Sequence, residues 1–458
     1  MTTPPIFPPD FLWGAATSAY QVEGAPLADG AGPSNWHRFT HAPDSRIPGR
    51  HNGDVACDHY HRWPEDLALM KALGLNAYRF SLSWSRLLPA GKGQANAAGL
   101  AFYDRLVDAL LEAGLRPFVT LYHWDLPAAL EEEGGWLNAA ALHWFAEYAH
   151  LACKTLGDRV EDWVTLNEPW VIAHEGHVTG HHAPGHRNFS EVPRVSLHLL
   201  QAHGAGVQAC RAAGAKRVGL VVNLEPKYPA SDRAEDVEAA THADAYMNLQ
   251  FLEPIYRGHY PDILRSGLYG QWPDFSPEDR SLIQTPTDFL GINYYTRSLT
   301  AFDPPNQPLP WRSVPVPQSL RTTMGWEVYP QGLSETLIRV HDRYGPLPLL
   351  VTENGAAFPD PADPQWDGRD PQRVAYLRSH LRAVREAMGA GVDVRGYFAW
   401  SLLDNFEWAL GYSQKFGLVR VDPVTLTRSP KASAWAFSEI ARTRGSALDE
   451  GFEGSFNQ

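Results

Sequence analysis

Three cysteines, Cys57, Cys153 and Cys210, are too few and too scattered in 458 residues for a disulfide framework, and no CxxC spacing offers a zinc site. Basic charge is also scarce. Fifty-two acidic residues against thirty-nine basic ones give a formal net charge of −13, which argues against nucleic-acid and anionic-membrane partners and against a strongly anionic substrate. No window reaches 18 uninterrupted apolar residues, and the first ten residues lack the basic and apolar regions of a signal peptide. Neither membrane insertion nor export is expected, so the expected location is the cytoplasm. The glycine-rich pieces 24–32 and 91–93 contain no GxxxxGK(S/T) and no GxGxxG, which leaves nucleotide binding without a motif. There is no low-complexity tract, charged linker or short repeat.

Aromatic residues, by contrast, are abundant: 16 Trp, 18 Tyr and 19 Phe make up 12% of the chain. Sugars present apolar C–H faces ringed by hydroxyls, so a tryptophan-rich cleft suits them, although tryptophan also fills cores. Apolar runs bounded by turn signals read as eight strands, at 11–17, 77–81, 117–121, 160–166, 218–224, 289–292, 349–352 and 394–400. Helix-period stretches at 64–73, 100–113, 139–156, 195–213, 245–257, 333–344 and 373–388 separate most of them, several ending in a glycine stop such as Gly74, Gly114, Gly157 and Gly214. Strands alternating with helices demand right-handed βαβ crossovers and a parallel sheet, and eight such units close into a barrel. The expected fold class is therefore α/β, a single (β/α)8 TIM barrel with long βα loops, with residues 1–458 as one catalytic domain. Stretches 24–58, 168–193 and 295–327 read as long irregular loops after strands 1, 4 and 6, where function is expected.

Barrel chemistry sits at the C-terminal strand ends. Those positions hold Gln21 after strand 1, His123 and Trp124 after strand 3, and Asn167 and Glu168 after strand 4. Asn293 and Tyr295 follow strand 6, Glu353 and Asn354 strand 7, and Trp400, Glu407 and Trp408 strand 8, with Arg79 inside strand 2. Taken singly, the amides read as turn caps, the tryptophans as core and Arg79 as an ion-pair partner; their clustering at one barrel mouth favours a site. Two carboxylates facing one another across such a mouth are what glycosidic cleavage requires, one as proton donor and one as nucleophile or base. Spacing leaves the choice between retention and inversion open. The segment 173–186 carries five histidines, but His-Glu-Gly-His is one residue short of HExxH and its Gly and Pro interrupt a helix. It reads as a segment that shapes the loop, and no metal is assigned.

Four motifs carry a resemblance. Phe11-Leu-Trp-Gly-Ala-Ala-Thr-Ser-Ala-Tyr-Gln-Val-Glu-Gly24, Thr165-Leu-Asn-Glu-Pro169, Val351-Thr-Glu-Asn-Gly355 and Asn405-Phe-Glu-Trp408 resemble the signatures of family 1 glycoside hydrolases, the retaining β-glucosidase family. The likeness runs from about Pro8 to Phe437. It implies that Glu168 is the general acid/base and Glu353 the nucleophile of a double displacement with retention, with no cofactor. By the same resemblance Gln21, His123, Trp124, Asn167, Glu407 and Trp408 grip the terminal sugar over Trp400. Tyr295 and Arg79 orient the nucleophile, Asn293 flanks the leaving-group side, and Trp326, with Trp170 beside it, walls the aglycone site. An anionic Glu353 is expected to raise the pKa of Glu168, and Arg79 to keep Glu353 ionised.

The implied substrate is a neutral oligosaccharide or β-glycoside ending in β-glucose, with galactose and fucose left open, as in cellulose degradation. The alternatives are a 6-phospho-β-glycosidase and a non-catalytic sugar-binding barrel. Glu407 would repel a phosphate, although Lys415 is near, and both carboxylates are present. A thioglucosidase would carry Gln where Glu168 stands. The oligomeric state is open.

Overall fold

The computed structural model describes residues 6–449 apart from 268, 318 and 362–365. Eight parallel strands close the barrel: β1 (Leu12–Ala16), β2 (Ala77–Ser81), β3 (Arg116–Tyr122), β4 (Asp162–Asn167), β5 (Arg217–Asn223), β6 (Phe289–Asn293), β7 (Leu349–Asn354) and β8 (Val394–Trp400), each paired with its sequence neighbours and β8 with β1. All eight predicted runs are strands, within two residues at either end. Parallel strands covered on both faces must be apolar throughout, and that is the pattern their sequences display.

One helix follows each strand on the outside: α1 (His59–Ala72), α2 (Ala97–Glu112), α3 (Ala141–Leu156), α4 (Val192–Ala212), α5 (Gln250–Arg257), α6 (Gln331–Tyr344), α7 (Pro371–Gly389) and α8 (Ala432–Arg442). Several expectations need correction. The first helix starts at His59, not at Pro64, because a buried bond from His59 Nδ1 to Asp66 Oδ2 (2.8 Å) fixes its first two turns, and Pro64 lies inside it. A helix at Ala234–Asp244 and a π-helical turn at Ala245–Leu249 precede α5, and α8 has no counterpart in the predicted set. Gly74, Gly114 and Gly214 have positive φ as helix stops should, but Gly157 keeps right-handed backbone with φ −71°. The three long loops are not irregular throughout. The first carries a helix at Asn35–His41, the second a helix at Pro169–His174 running into a π-helical turn at Glu175–Thr179. The third forms an antiparallel pair, Ser298–Phe302 with Trp311–Val314, extended by Lys227–Pro229.

The barrel interior is packed by Phe118, Phe289 and Phe398, with ring centroids 5.1 and 5.3 Å apart, together with Ala16, Val164, Val221 and Leu350. Gly14 is small of necessity, since a Cβ there would lie 2.3 Å from the Phe398 ring. Trp400 caps this cluster at the C-terminal end, where its ring becomes the floor of a cavity. Among the described residues, no helix is long and apolar enough to cross a membrane.

Candidate active site

A cavity of about 450 Å3 opens at the C-terminal mouth of the barrel. Ten of the sequence-predicted residues line it: His123, Trp124, Glu168, Asn293, Tyr295, Trp326, Glu353, Trp400, Glu407 and Trp408, together with Trp170. Gln21, Arg79 and Asn167 do not; they are fully buried behind it and act on the lining residues. The Gln21 amide nitrogen donates to Asn405 Oδ1 (3.1 Å) and to the Phe406 carbonyl (2.8 Å), and its carbonyl accepts from Ser18 (2.6 Å). It also bonds to the Glu407 carboxyl. These bonds fix the Gln21 amide against the groups around Glu407.

Both oxygens of Glu353 are held. Arg79 Nη1 donates to Oε1 (2.5 Å) and to the Thr352 carbonyl (3.1 Å), while the Tyr295 hydroxyl donates to Oε2 (2.6 Å). The other arm of Arg79, Nη2, reaches Asn167 Oδ1 (2.6 Å), so one guanidinium ties the ends of β4 and β7 together. Burial and the charges of Glu353 and Glu168 push the Tyr295 phenol well above its ordinary pKa, and it stays a donor.

Glu168 caps the N-terminus of Pro169–His174. Asn293 Nδ2 donates to its Oε1 (2.6 Å), and Asn293 is itself oriented by the Thr352 hydroxyl on its Oδ1 (2.7 Å). Asn293, expected beside the leaving group, is therefore in direct contact with the Glu168 carboxyl. Burial is the main cause that raises the Glu168 pKa, to about 8; the charge of Glu353, the cause expected from the sequence, comes second, and the Asn293 bond opposes both. Glu407 is likewise raised to about 8, by burial and then by the charge of Glu353. Its Oε2 is buried without a protein partner. His123 is kept neutral by burial and by Arg79; its Nε2 meets Asn167 Nδ2 (3.1 Å), and its ring stacks on Trp400 at 5.9 Å.

Trp124, Glu168 and Trp408 all sit on left-handed backbone, with φ of 82°, 51° and 46°. Such positions cost a non-glycine residue about 1–3 kcal/mol each and persist only where the surroundings impose them. Trp124 is pinned by its indole N–H on the Asn167 carbonyl (2.9 Å) and by Trp408, 4.7 Å away ring to ring. Gly355, which ends the β7 motif, has a different constraint: a Cβ there would lie 1.8 Å from the Trp400 carbonyl oxygen. Asn354 locks the same strand end, donating to the Tyr294 carbonyl (2.6 Å) and accepting from Tyr397 (2.6 Å).

Sequence reasoning missed Asn223, Glu225, His182 and Lys227, all of which line the cavity. Asn223 ends β5 after two valines, so the strand-end rule applied to the fifth strand would have found it. Lys227 is the only lysine or arginine among the described lining residues, and it is paired with Glu225; Lys415 does not reach the cavity. Of the five histidines of the second loop, His182 reaches the cavity and His174 stacks on Trp170 (4.5 Å). His177 and His186 both donate through Nδ1 to Glu191 Oε2 (2.7 and 2.8 Å). That last trio and His37, His41 and Asp54 each bring three potential ligand atoms within 4.8 Å of one another, but both lie outside the cavity lining.

Residues 3–446 match the family described as Glycosyl hydrolase family 1. The chain is 46% identical over 442 residues to Beta-glucosidase A of Thermotoga maritima, covering 96% of this chain and 98% of the relative. It is 45% identical over 442 residues to the 1,4-beta-D-glucan glucohydrolase of Thermotoga neapolitana, at 96% and 99% coverage. The solved structure of the Thermotoga maritima beta-glucosidase in complex with glucoimidazole superposes with a TM-score of 0.92 at 45% identity, covering 96% of this chain and 99% of that one.

Proposed function

The chain belongs to glycosyl hydrolase family 1 and is a retaining β-glucosidase, and from that premise we propose that Glu353 is its nucleophile and Glu168 its general acid/base, acting on an unphosphorylated terminal sugar. The observation that carries the assignment is the contrast between the two carboxyls: Arg79 and Tyr295 hold both oxygens of Glu353, whereas burial favours a proton on Glu168.

In the first half-reaction a Glu353 oxygen attacks the anomeric carbon through an oxocarbenium-like transition state while Glu168 gives its proton to the departing oxygen. Oε2 is the attacking atom in this reading, because its partner Tyr295 lines the cavity while Arg79 lies behind. Formation of the ester removes the Glu353 charge, and with it the second-largest cause that raises the Glu168 pKa. Glu168 is then better suited to take a proton from the water that releases the sugar. Trp400 and Trp408 offer faces to the sugar ring, and the Glu407 carboxyl can bond to its hydroxyls.

A neutral glycone is favoured because no unpaired lysine or arginine lines the described cavity to balance a phosphate. The name of the Thermotoga neapolitana relative supports glucan oligosaccharides among the substrates. A cytoplasmic site of action is part of the proposal, supported by three buried, unpaired thiols. Treatment with a 2-fluoro β-glucoside followed by peptide mass spectrometry should find the sugar on Glu353, and 6-phosphorylated glucosides should show lower kcat/KM than free ones. A label on any other residue would remove the nucleophile assignment, and preference for the phosphorylated sugar would remove the neutral one.

A further inference from the structure

The histidine-rich segment after β4 is not used by the reaction, yet it brings two imidazoles onto one carboxylate. His177 stands in the π-helical turn Glu175–Thr179, His186 further along the same loop, and Glu191 at the N-cap of α4. Three potential ligand atoms, one from each residue, lie within 4.8 Å of one another. Both histidine Nδ1 atoms point at the same oxygen, Glu191 Oε2, at 2.7 and 2.8 Å. The backbone sets this arrangement. The His186 N–H donates to the Gly176 carbonyl (2.9 Å) and the Asn188 N–H to the His177 carbonyl (2.7 Å), so the loop is folded back on the turn beside the trio. Asn188 Nδ2 holds the other oxygen, Glu191 Oε1 (3.3 Å).

Two imidazole nitrogens and a carboxylate oxygen are the donor set of a borderline divalent transition ion such as Zn2+, whereas Mg2+ and Ca2+ take oxygen ligands. Ligand bonds of about 2.0–2.2 Å place such atoms about 3.0–3.6 Å apart, so the two N–O distances must open by roughly half an ångström. His186 can supply that movement, since its side chain is 40% exposed, while His177 is fully buried and fixed. Coordination through Nδ1 moves the imidazole proton to Nε2. On His177 that second nitrogen is buried without a partner in either tautomer, so the shift breaks no bond there. The charge of Glu131 reaches both His186 and Glu191 and adds to the attraction for a cation. The lack of an HExxH register is no obstacle, because these ligands come from a turn, a loop and a helix start rather than from one helix.

We propose that His177, His186 and Glu191 form a structural site for a Zn2+-class ion, which clamps the loop that carries His182 to the wall of the catalytic cavity. His182 lies between the two histidine ligands in sequence. Its ring packs on Trp36 and Trp124 (5.2 Å each) and reaches Trp408 (6.3 Å). The test uses the full chain, stripped with a chelator and reloaded with Zn2+ or Co2+, as wild type, His186→Ala and His41→Ala. The last variant disables the more exposed trio His37, His41 and Asp54, a rival for the ion. The readouts are metal per chain after gel filtration, the visible absorption of the Co2+ form, and Tm. In His41→Ala one ion per chain should remain, and Zn2+ at 100 times its Kd should raise Tm by about 3 °C, as in the wild type. His186→Ala should weaken binding at this site by at least about 100-fold and lose the Tm gain, while its metal-free Tm stays within about 2 °C of the wild type. A wild type that takes up no ion, uptake indifferent to His186→Ala, or uptake lost with His41→Ala would each overturn the site and leave the glucosidase reading standing.

Discussion

Removal of the Glu168 carboxyl should divide substrates by their leaving groups. An activated phenol departs without a proton and an alkyl sugar does not, so Glu168→Ala should lower kcat/KM for cellobiose by about 100-fold or more while sparing a dinitrophenyl glucoside. The covalent intermediate should then accumulate, and azide, replacing water, should restore turnover and give the β-azide. The pH dependence follows from the direction of the shift. Because the Glu168 pKa is raised to about 8, the free enzyme keeps its catalytic proton below that pH, and kcat/KM for poor leaving groups falls as pH rises through it. Glu407 is raised into the same range, so two variants are needed to assign the limb. Glu407→Gln should retain the basic limb and Glu168→Ala should abolish it for activated substrates. A limb that followed Glu407 would transfer the acid's titration to the wrong carboxyl and undo the assignment.

At the scale of the element, the ends of β7 and β8 are fitted to one another through Gly355. The backbone carbonyl of Trp400 occupies the space a side chain would need, so Gly355→Ala must part the two strand ends that carry Glu353 and the sugar floor. The expected cost is about 2–4 kcal/mol by chemical denaturation, with kcat reduced as well. A variant with wild-type midpoint and kcat would show that the contact is easily relieved. These strand ends also mark how far the sequence could be read. Residues 349–352 and 394–400 were legible as strands because buried parallel strands are apolar along their whole length, and Glu353 was legible as the polar residue that stops one of them. The contact of Asn293 with Glu168 was not, since it joins positions 125 residues apart and depends on side-chain direction rather than local pattern. The bonds of Gln21 to Asn405 and the Phe406 carbonyl were hidden for the same reason, because a strand-end rule names the neighbourhood and not the partners. The missed helix Ala234–Asp244 packs on the outer strands Lys227–Pro229 and Ser298–Phe302 with an alanine-rich face, whose small side chains give a weak apolar period.

For the molecule as a whole, barrel closure makes β8 as dependent on β1 as on β7, so no strand can leave without opening the ring. We propose that the chain is one folding unit. Differential scanning calorimetry should show a single transition, coincident with loss of activity, and two resolved transitions would contradict it. The three left-handed positions at the barrel mouth carry a consequence that reaches beyond the reaction. Glu168 occupies backbone that suits glycine, so Glu168→Gly should be more stable than Glu168→Ala by about 1 kcal/mol, measured as a denaturation midpoint. Folding and chemistry therefore pull this position in opposite directions. A laboratory population selected for heat resistance alone, with no sugar to cleave, would drift toward glycine there, and its survivors would be sturdier proteins that had stopped being enzymes.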